Sequence, residues 1–233
     1  MTSTPRQLWR AAGALAIAHV VLIPIALALE MPALFSDGVG GIAEAYVEGD
    51  LTRSFAGGVL ESFAFLMLVP VLVFLGRVLG RGGGGELAGW AAETGVLCGL
   101  AYVAVTFAVG FPAGAAAMYG AQHGLDLDAA FAINNVRIFA YFLSLLLLGG
   151  STLGFAVAAL AGRVHPRWWG GLGIATSMVL FASTPLAAVN LHDWGTLVWM
   201  VWFVGVGVLL LRHRDDEHTV ANPQRERLSS GTL

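Results

Sequence analysis

Lysine is absent from this 233-residue chain, and cysteine occurs once, at Cys98. A single cysteine excludes a disulfide framework, and with six scattered histidines it argues against a structural zinc module. Charge of either sign is scarce. Charged residues make up 12% of the chain, against about 25% in an average soluble domain. So few polar side chains cannot coat a water-soluble globule of this size. The composition therefore excludes a disordered chain and speaks against a soluble enzyme. A formal net charge of −3 gives no reason to expect a nucleic-acid partner.

What the chain has in abundance is apolar sequence, 57% of all residues. Crossing a bilayer takes roughly 20 mostly apolar residues. Six stretches meet that requirement, at about 11–29, 55–76, 89–112, 138–161, 168–189 and 194–211. The fourth has an open start between Asp128 and Ile138. A transmembrane barrel needs alternating polarity, whereas these runs are apolar on both parities. Backbone groups in lipid must bond within their own segment, so the runs are read as helices. The fold class expected is an all-α membrane protein: a bundle of six transmembrane helices over residues 1–211, with a disordered tail at 212–233.

Arginine placement sets the orientation. Arg6, Arg10, Arg77, Arg81, Arg163, Arg167, Arg212 and Arg214, with Arg225 and Arg227 in the tail, fall on one side of the six spans; only Arg53 and Arg137 fall on the other. The positive-inside rule then makes both termini cytoplasmic, in the inner or plasma membrane of a bacterium. Trp9, Trp90, Trp168 and Trp169 are expected at the cytoplasmic interface, and Trp194 and Tyr119 at the outer one. The first span also carries signal-peptide marks, including the small-x-small run Ala26-Leu27-Ala28. Its length of about 19 residues exceeds the usual 7–15 and favours an uncleaved helix.

The loops carry little chemistry. The 30–54 loop has Ile42, Ala45 and Tyr46 interleaved with Glu44 and Glu48, which suits a short amphipathic helix on the membrane surface or a plain connector. The run Arg81-Gly82-Gly83-Gly84-Gly85-Glu86 lacks the Lys-Ser/Thr and the preceding strand of a phosphate-binding loop. Gly76-Arg77-Val78 echoes Gly162-Arg163-Val164, a faint sign that helices two and three repeat as four and five. Asn190, His192 and Asp193 with His123, Asp126 and Asp128 offer a weak metal-like cluster without tight ligand spacing. No metalloprotease, nucleophile-elbow or paired-aspartate motif occurs. Nothing positive points to an enzyme, a cofactor or a resident metal.

Ionisable groups within spans are the functional candidates, because burying them costs free energy. Glu61 lies in the second span below Gly57 and Gly58, where a neighbouring helix can approach. Arg137 is its obvious partner, although residue counting from the arginines at the far end of the fourth helix places it at headgroup level. Asn134, Arg137, Tyr141, Ser144 and Ser151 form a polar stripe that should face the bundle, either lining a cleft or bonding helices together. His19 sits mid-span, either as a proton relay or as a neutral group bonded to a backbone carbonyl. Glu93 is expected near the cytoplasmic interface. Gly95, Gly99, Tyr102, Thr106 and Gly110 read as a packing face. The substrate- or ion-pathway candidates are therefore Glu61, Arg137, Asn134, Tyr141 and His19.

Three short motifs carry a resemblance: Gly41-Ile42-Ala43-Glu44-Ala45-Tyr46 with Asp50-Leu51-Thr52-Arg53; Val73-Phe74-Leu75-Gly76-Arg77; and His165-Pro166-Arg167-Trp168-Trp169-Gly170-Gly171-Leu172-Gly173. In these, the chain from about Leu8 to Arg212 resembles a broad group of uncharacterised six-helix bacterial membrane proteins. The resemblance implies six helices and brings no activity and no catalytic residues. Three readings follow from the residues: a small permease or channel-like component using outer-half polar groups; a non-catalytic scaffold or accessory subunit, self-associating or binding a membrane partner through small-residue faces; and an intramembrane enzyme acting on lipid or quinone through His19 and Glu93. In each case the lipid bilayer is the surrounding partner.

Overall fold

The computed structural model describes residues 6–162, 166–186 and 193–213, and every regular element among them is helical. Six helices are long and apolar enough to cross a membrane, so the chain is a multi-pass membrane protein. They comprise α1 (Arg6–Glu30), α3 (Leu51–Gly80), the continuous pair α4 (Gly85–Val105) and α5 (Phe111–Gln122), α6 (Leu127–Gly162), α7 (Arg167–Leu186) and α8 (Asp193–Arg212). A short helix, α2 (Gly38–Ile42), lies between the first two.

Each span packs on its neighbours in sequence, and α8 closes the ring against α1, with α3 also meeting α6 across the middle. Both ends of the described chain come together: the rings of Trp9 and His213 stack at 3.7 Å. This end is called here the terminal face, and the opposite end the distal face. Small residues set the closest crossings. A Cβ on Gly13 would lie 2.8 Å from the Gly207 carbonyl oxygen, and one on Gly154 would lie 2.6 Å from the Gly95 amide. Without a hydrophobic drive between helices in lipid, such close backbone approach is what holds spans together.

The helices run past their expected limits. The second starts at Leu51, where Asp50 accepts a hydrogen bond from the Arg53 amide as N-cap. The fourth starts at Leu127, capped by Asp126, whose carboxylate accepts from the Asp128 and Ala129 amides. The third continues through Pro112 to Gln122 because a π-helical turn, Thr106–Gly110, precedes the proline. Proline has no N–H and its ring crowds the carbonyl four residues back; one extra residue in the turn relieves both.

The 31–50 segment is not a surface helix. It folds as short helical pieces, Phe35–Asp37, α2 and the π turn Ala43–Val47, that tuck against the distal ends of α5 and α6. Ile42 and Tyr46 are buried there with Ala33, Ala117, Ala121 and Ala130. The apolar residues seen as a membrane-facing stripe thus face protein. Two of the tryptophans expected in an interfacial belt are also internal: Trp9 packs on Phe74, and Trp169 stacks on Trp202. Trp90, Trp168 and Trp194 are exposed on the bundle surface, as is Tyr119.

Candidate functional site

The half of the bundle near the terminal face is filled by Leu68, Leu72, Leu75, Phe155, Trp169 and Phe203. The distal half is hollow. A cavity of about 850 Å³ extends from His19 and Trp199 up to Leu34 and Ser36 of the distal segment. That volume lies within the roughly 300–1,000 Å³ of small-molecule sites. Its walls are mostly apolar and aromatic, with Phe65, Phe111, Tyr102 and Trp199 among them.

Charged groups from three helices converge at its distal end: Glu30 closes α1, Glu61 lies on α3 and Arg137 on α6. Glu30 reaches Glu61 through Gly57. A Cβ there would stand 2.7 Å from both the Ala26 carbonyl oxygen and the Glu30 amide, so only glycine lets α1 and α3 close at this level. The Ser54 hydroxyl donates to the Glu30 carbonyl at 3.0 Å and the Arg53 guanidinium to the Ala28 carbonyl at 3.0 Å, fixing the end of α1. The two carboxyl groups consequently lie within hydrogen-bonding reach of each other.

Arg137 is near enough for its charge to act on Glu61, yet its contacts lie elsewhere. Its Nε donates to Asn134 Oδ1 at 3.0 Å and its Nη2 to the Ala33 carbonyl at 2.9 Å. Asn134, fully buried, also donates to the Ala33 carbonyl at 3.2 Å and accepts from the Tyr46 hydroxyl at 2.9 Å. Among the described residues no ion pair joins Arg137 to Glu61. Both acceptors of the guanidinium are neutral, so its charge is held in place without being cancelled by contact. Gly114 makes room for it, since a Cβ there would meet Arg137 Cδ at 2.7 Å. At the outer edge of this knot, burial pushes the Tyr46 phenol above its ordinary value of 10.0, and the adjacent Arg137 pulls it back down.

Further along α6, Tyr141 shares a 2.7 Å hydroxyl–hydroxyl hydrogen bond with Thr196 of α8. Ser151 lies beyond the cavity and donates to the Gly95 carbonyl at 2.7 Å. The polar stripe of α6 therefore faces the bundle throughout, lining the cavity at Arg137, Tyr141 and Ser144 and bonding helices at Ser151. Asn134 supports Arg137 from behind and does not line the cavity.

His19 forms part of the cavity floor. Its Nδ1 lies 2.8 Å from the Ala64 carbonyl, and Phe65, Trp199 and Phe203 stand edge-on around the ring at 5.8–6.1 Å. A carbonyl only accepts, so Nδ1 carries a proton, and Nε2 of a neutral ring is left as an acceptor. Glu93, by contrast, is exposed on the bundle surface and absent from the cavity wall. The His19–Glu93 combination is not assembled.

Some site residues were hidden in the sequence. Glu30 reads as a loop acid and Tyr102 as part of a packing stripe, but both line the cavity. The local signal for Glu30 was its position at the end of an apolar run, opposite the Gly57-Gly58 pair. The distal metal-like cluster dissolves where it is described: His123 bonds the Tyr119 carbonyl and Asp126 caps α6. Residues 190–192 lie outside the described residues, as do Arg163 of the internal echo and the tail from 214 onward. A second hollow, of about 410 Å³, runs along the outside between Val105 and Phe139, with Asn135 on its wall.

Set against protein-family models, curated proteins and solved structures, the chain matches none. The loop motifs' resemblance therefore assigns no family.

Proposed function

We propose that this protein is a small permease-type membrane protein and that the distal cavity is its substrate site. The observation that carries this reading is the convergence of Glu30, Glu61 and Arg137 from three different helices on one hollow of about 850 Å³. Ionisable groups in a span are costly, and they are retained mainly on substrate or ion pathways. Tyr141, Thr196 and His19 extend the polar lining toward the middle of the bundle. His19 lies eleven residues before Glu30 in α1, or about 17 Å along the axis.

The arginine asymmetry supports a cytoplasmic terminal face, which puts the cavity in the half of the bundle away from the cytoplasm. The dense packing beneath His19 then closes the pathway on the cytoplasmic side. A scaffold role has less to rest on, since Gly95, Gly99 and Gly154 pack against residues of their own chain. An enzyme role through His19 and Glu93 has less to rest on, since Glu93 is exposed outside the cavity.

The test is solute flux in proteoliposomes with the native protein, Glu61→Gln and Arg137→Ala. Flux above that of protein-free vesicles, reduced by both substitutions, is the expected result. Flux that neither substitution alters would remove the cavity from any transport pathway.

A further inference from the structure

We propose that the cavity selects an amphiphilic organic cation, whose charged head is met by the Glu30 and Glu61 carboxyls and whose apolar body lies on the aromatic wall. This inference rests on the reading of the cavity as a substrate site and names the chemical class of what enters it.

The charge arithmetic comes first. Glu30 and Glu61 bring two carboxyls to the distal end of the cavity, and Arg137 brings one guanidinium. Arg137 is anchored by the Asn134 and Ala33 oxygens rather than by either carboxyl. The carbonyls at the end of α1 are already met by the Arg53 guanidinium at Ala28 and the Ser54 hydroxyl at Glu30, so the balance rests on the side chains that line the cavity. With both carboxyls ionised, the cavity lining has a surplus of one negative charge; Arg53 is bonded to the Ala28 carbonyl outside that lining. A proton or another cation has to balance it.

The shape of the site then separates an organic cation from a small inorganic one. A small metal ion takes six or more oxygen ligands in a tight shell, whereas this cavity is far larger than such a shell and its polar groups are spread over several helices. Below the carboxyls the wall is aromatic. Phe65 sits 5.3 Å from Tyr102 and 5.9 Å from Phe111, and these rings with Trp199 line the hollow. Such faces attract a desolvated cation and receive apolar bulk. An amphiphilic anion would meet two carboxyls in the same lining as an arginine already bonded on two of its nitrogens.

One proton and one organic cation compete for the same pair of oxygens. Occupancy by one excludes the other, so binding of the cation must weaken as pH falls. In a protein that alternates between its two faces, that competition is the basis of exchange of the cation against a proton.

The experiment uses the full chain in detergent micelles, with tetraphenylphosphonium as the cation and tetraphenylborate as the anion of matched shape. Neutral tetraphenylsilane completes the set, and equilibrium dialysis reports binding. The expected result is saturable phosphonium binding that weakens with each unit of acidification. Glu30→Gln and Glu61→Gln should each weaken it by about 30-fold or more, the loss that follows when one partner of a desolvated charge pair is removed. Glu93→Gln, outside the cavity, should leave it unchanged. The pH series on the native chain needs no variant and guards against a substitution that merely unfolds the protein. Equal binding of all three probes, or preferred binding of tetraphenylborate abolished by Arg137→Ala, overturns the cation selectivity while the cavity stands as a ligand site. No saturable binding of any probe overturns both.

Discussion

Gly57 and Glu30 meet backbone to backbone, with the site of the missing Cβ 2.7 Å from the Glu30 amide. This contact brings the end of α1 down onto α3 and sets Glu30 beside Glu61, four residues further along. Gly58, its neighbour in sequence, has no atom within 4 Å of the equivalent position and faces the cavity.

Two adjacent glycines should therefore respond with opposite signs. Gly57→Ala forces a backbone shift and is expected to cost about 1–3 kcal/mol. Gly58→Ala fills open space in a helix and is expected to gain about 0.5–1 kcal/mol. Thermal unfolding in micelles measures both. An equal response at the two positions would contradict the α1–α3 crossing.

Asn134→Leu should detach the distal segment. It leaves the Tyr46 hydroxyl and the Arg137 Nε without their shared acceptor, and each abandoned buried group costs about 1–3 kcal/mol. Hydrogen exchange of the 33–47 amides should rise several-fold while that of α7 stays unchanged. Protection that persists at 33–47 would show that apolar packing of Ile42 alone holds the segment.

The same knot has a pH signature. Burial raises the Tyr46 phenol above 10.0, so folding favours its neutral form. The associated stability is fully present below the unfolded value and is lost as pH rises through the folded one. The thermal midpoint of the native chain should therefore fall more steeply above pH 10 than that of Tyr46→Phe. Parallel curves for the two proteins would show that Tyr46 does not titrate in this environment.

Ser151 and His19 separate helix-bonding from cavity-lining polarity. Ser151→Ala removes an interhelical bond and is expected to cost about 0.6 kcal/mol, as such bonds average in membranes, without altering phosphonium binding. Nitrogen NMR of His19 should find the proton on Nδ1, facing the Ala64 carbonyl. A proton on Nε2 alone would contradict the 2.8 Å contact.

Much of this architecture is legible along the chain because hydrocarbon is an unforgiving solvent. Six apolar runs must be helices whatever their neighbours are, and the polar stripe of α6 must turn away from lipid. Helix ends are harder to read. Leu127 and Leu51 begin their helices in sequence too polar to look like a span, because Asp126 and Asp50 supply caps that hydropathy does not register. The extension of the third helix through Pro112 depends on a π turn with no compositional mark. The outward-looking stripe of Ile42 and Tyr46 reads as membrane-facing, since periodicity records that a face is apolar and not which apolar surface will cover it.

The sequence by itself determined the number of spans, their helical state, the presence of Glu61 and His19 within them and of Arg137 at the border of the fourth, because each follows from local solvation. Tertiary structure decided which of these groups share a space. Glu61 meets Glu30, assigned to a loop along the chain, and Arg137 bonds Asn134 and Ala33, where the sequence left a pair with Glu61 open. Those pairings depend on how closely two backbones approach, at Gly57 and at Gly114, and on a folded distal segment contributing the Ala33 carbonyl. Distance between helices is a property of the packed bundle, and no single helix encodes it.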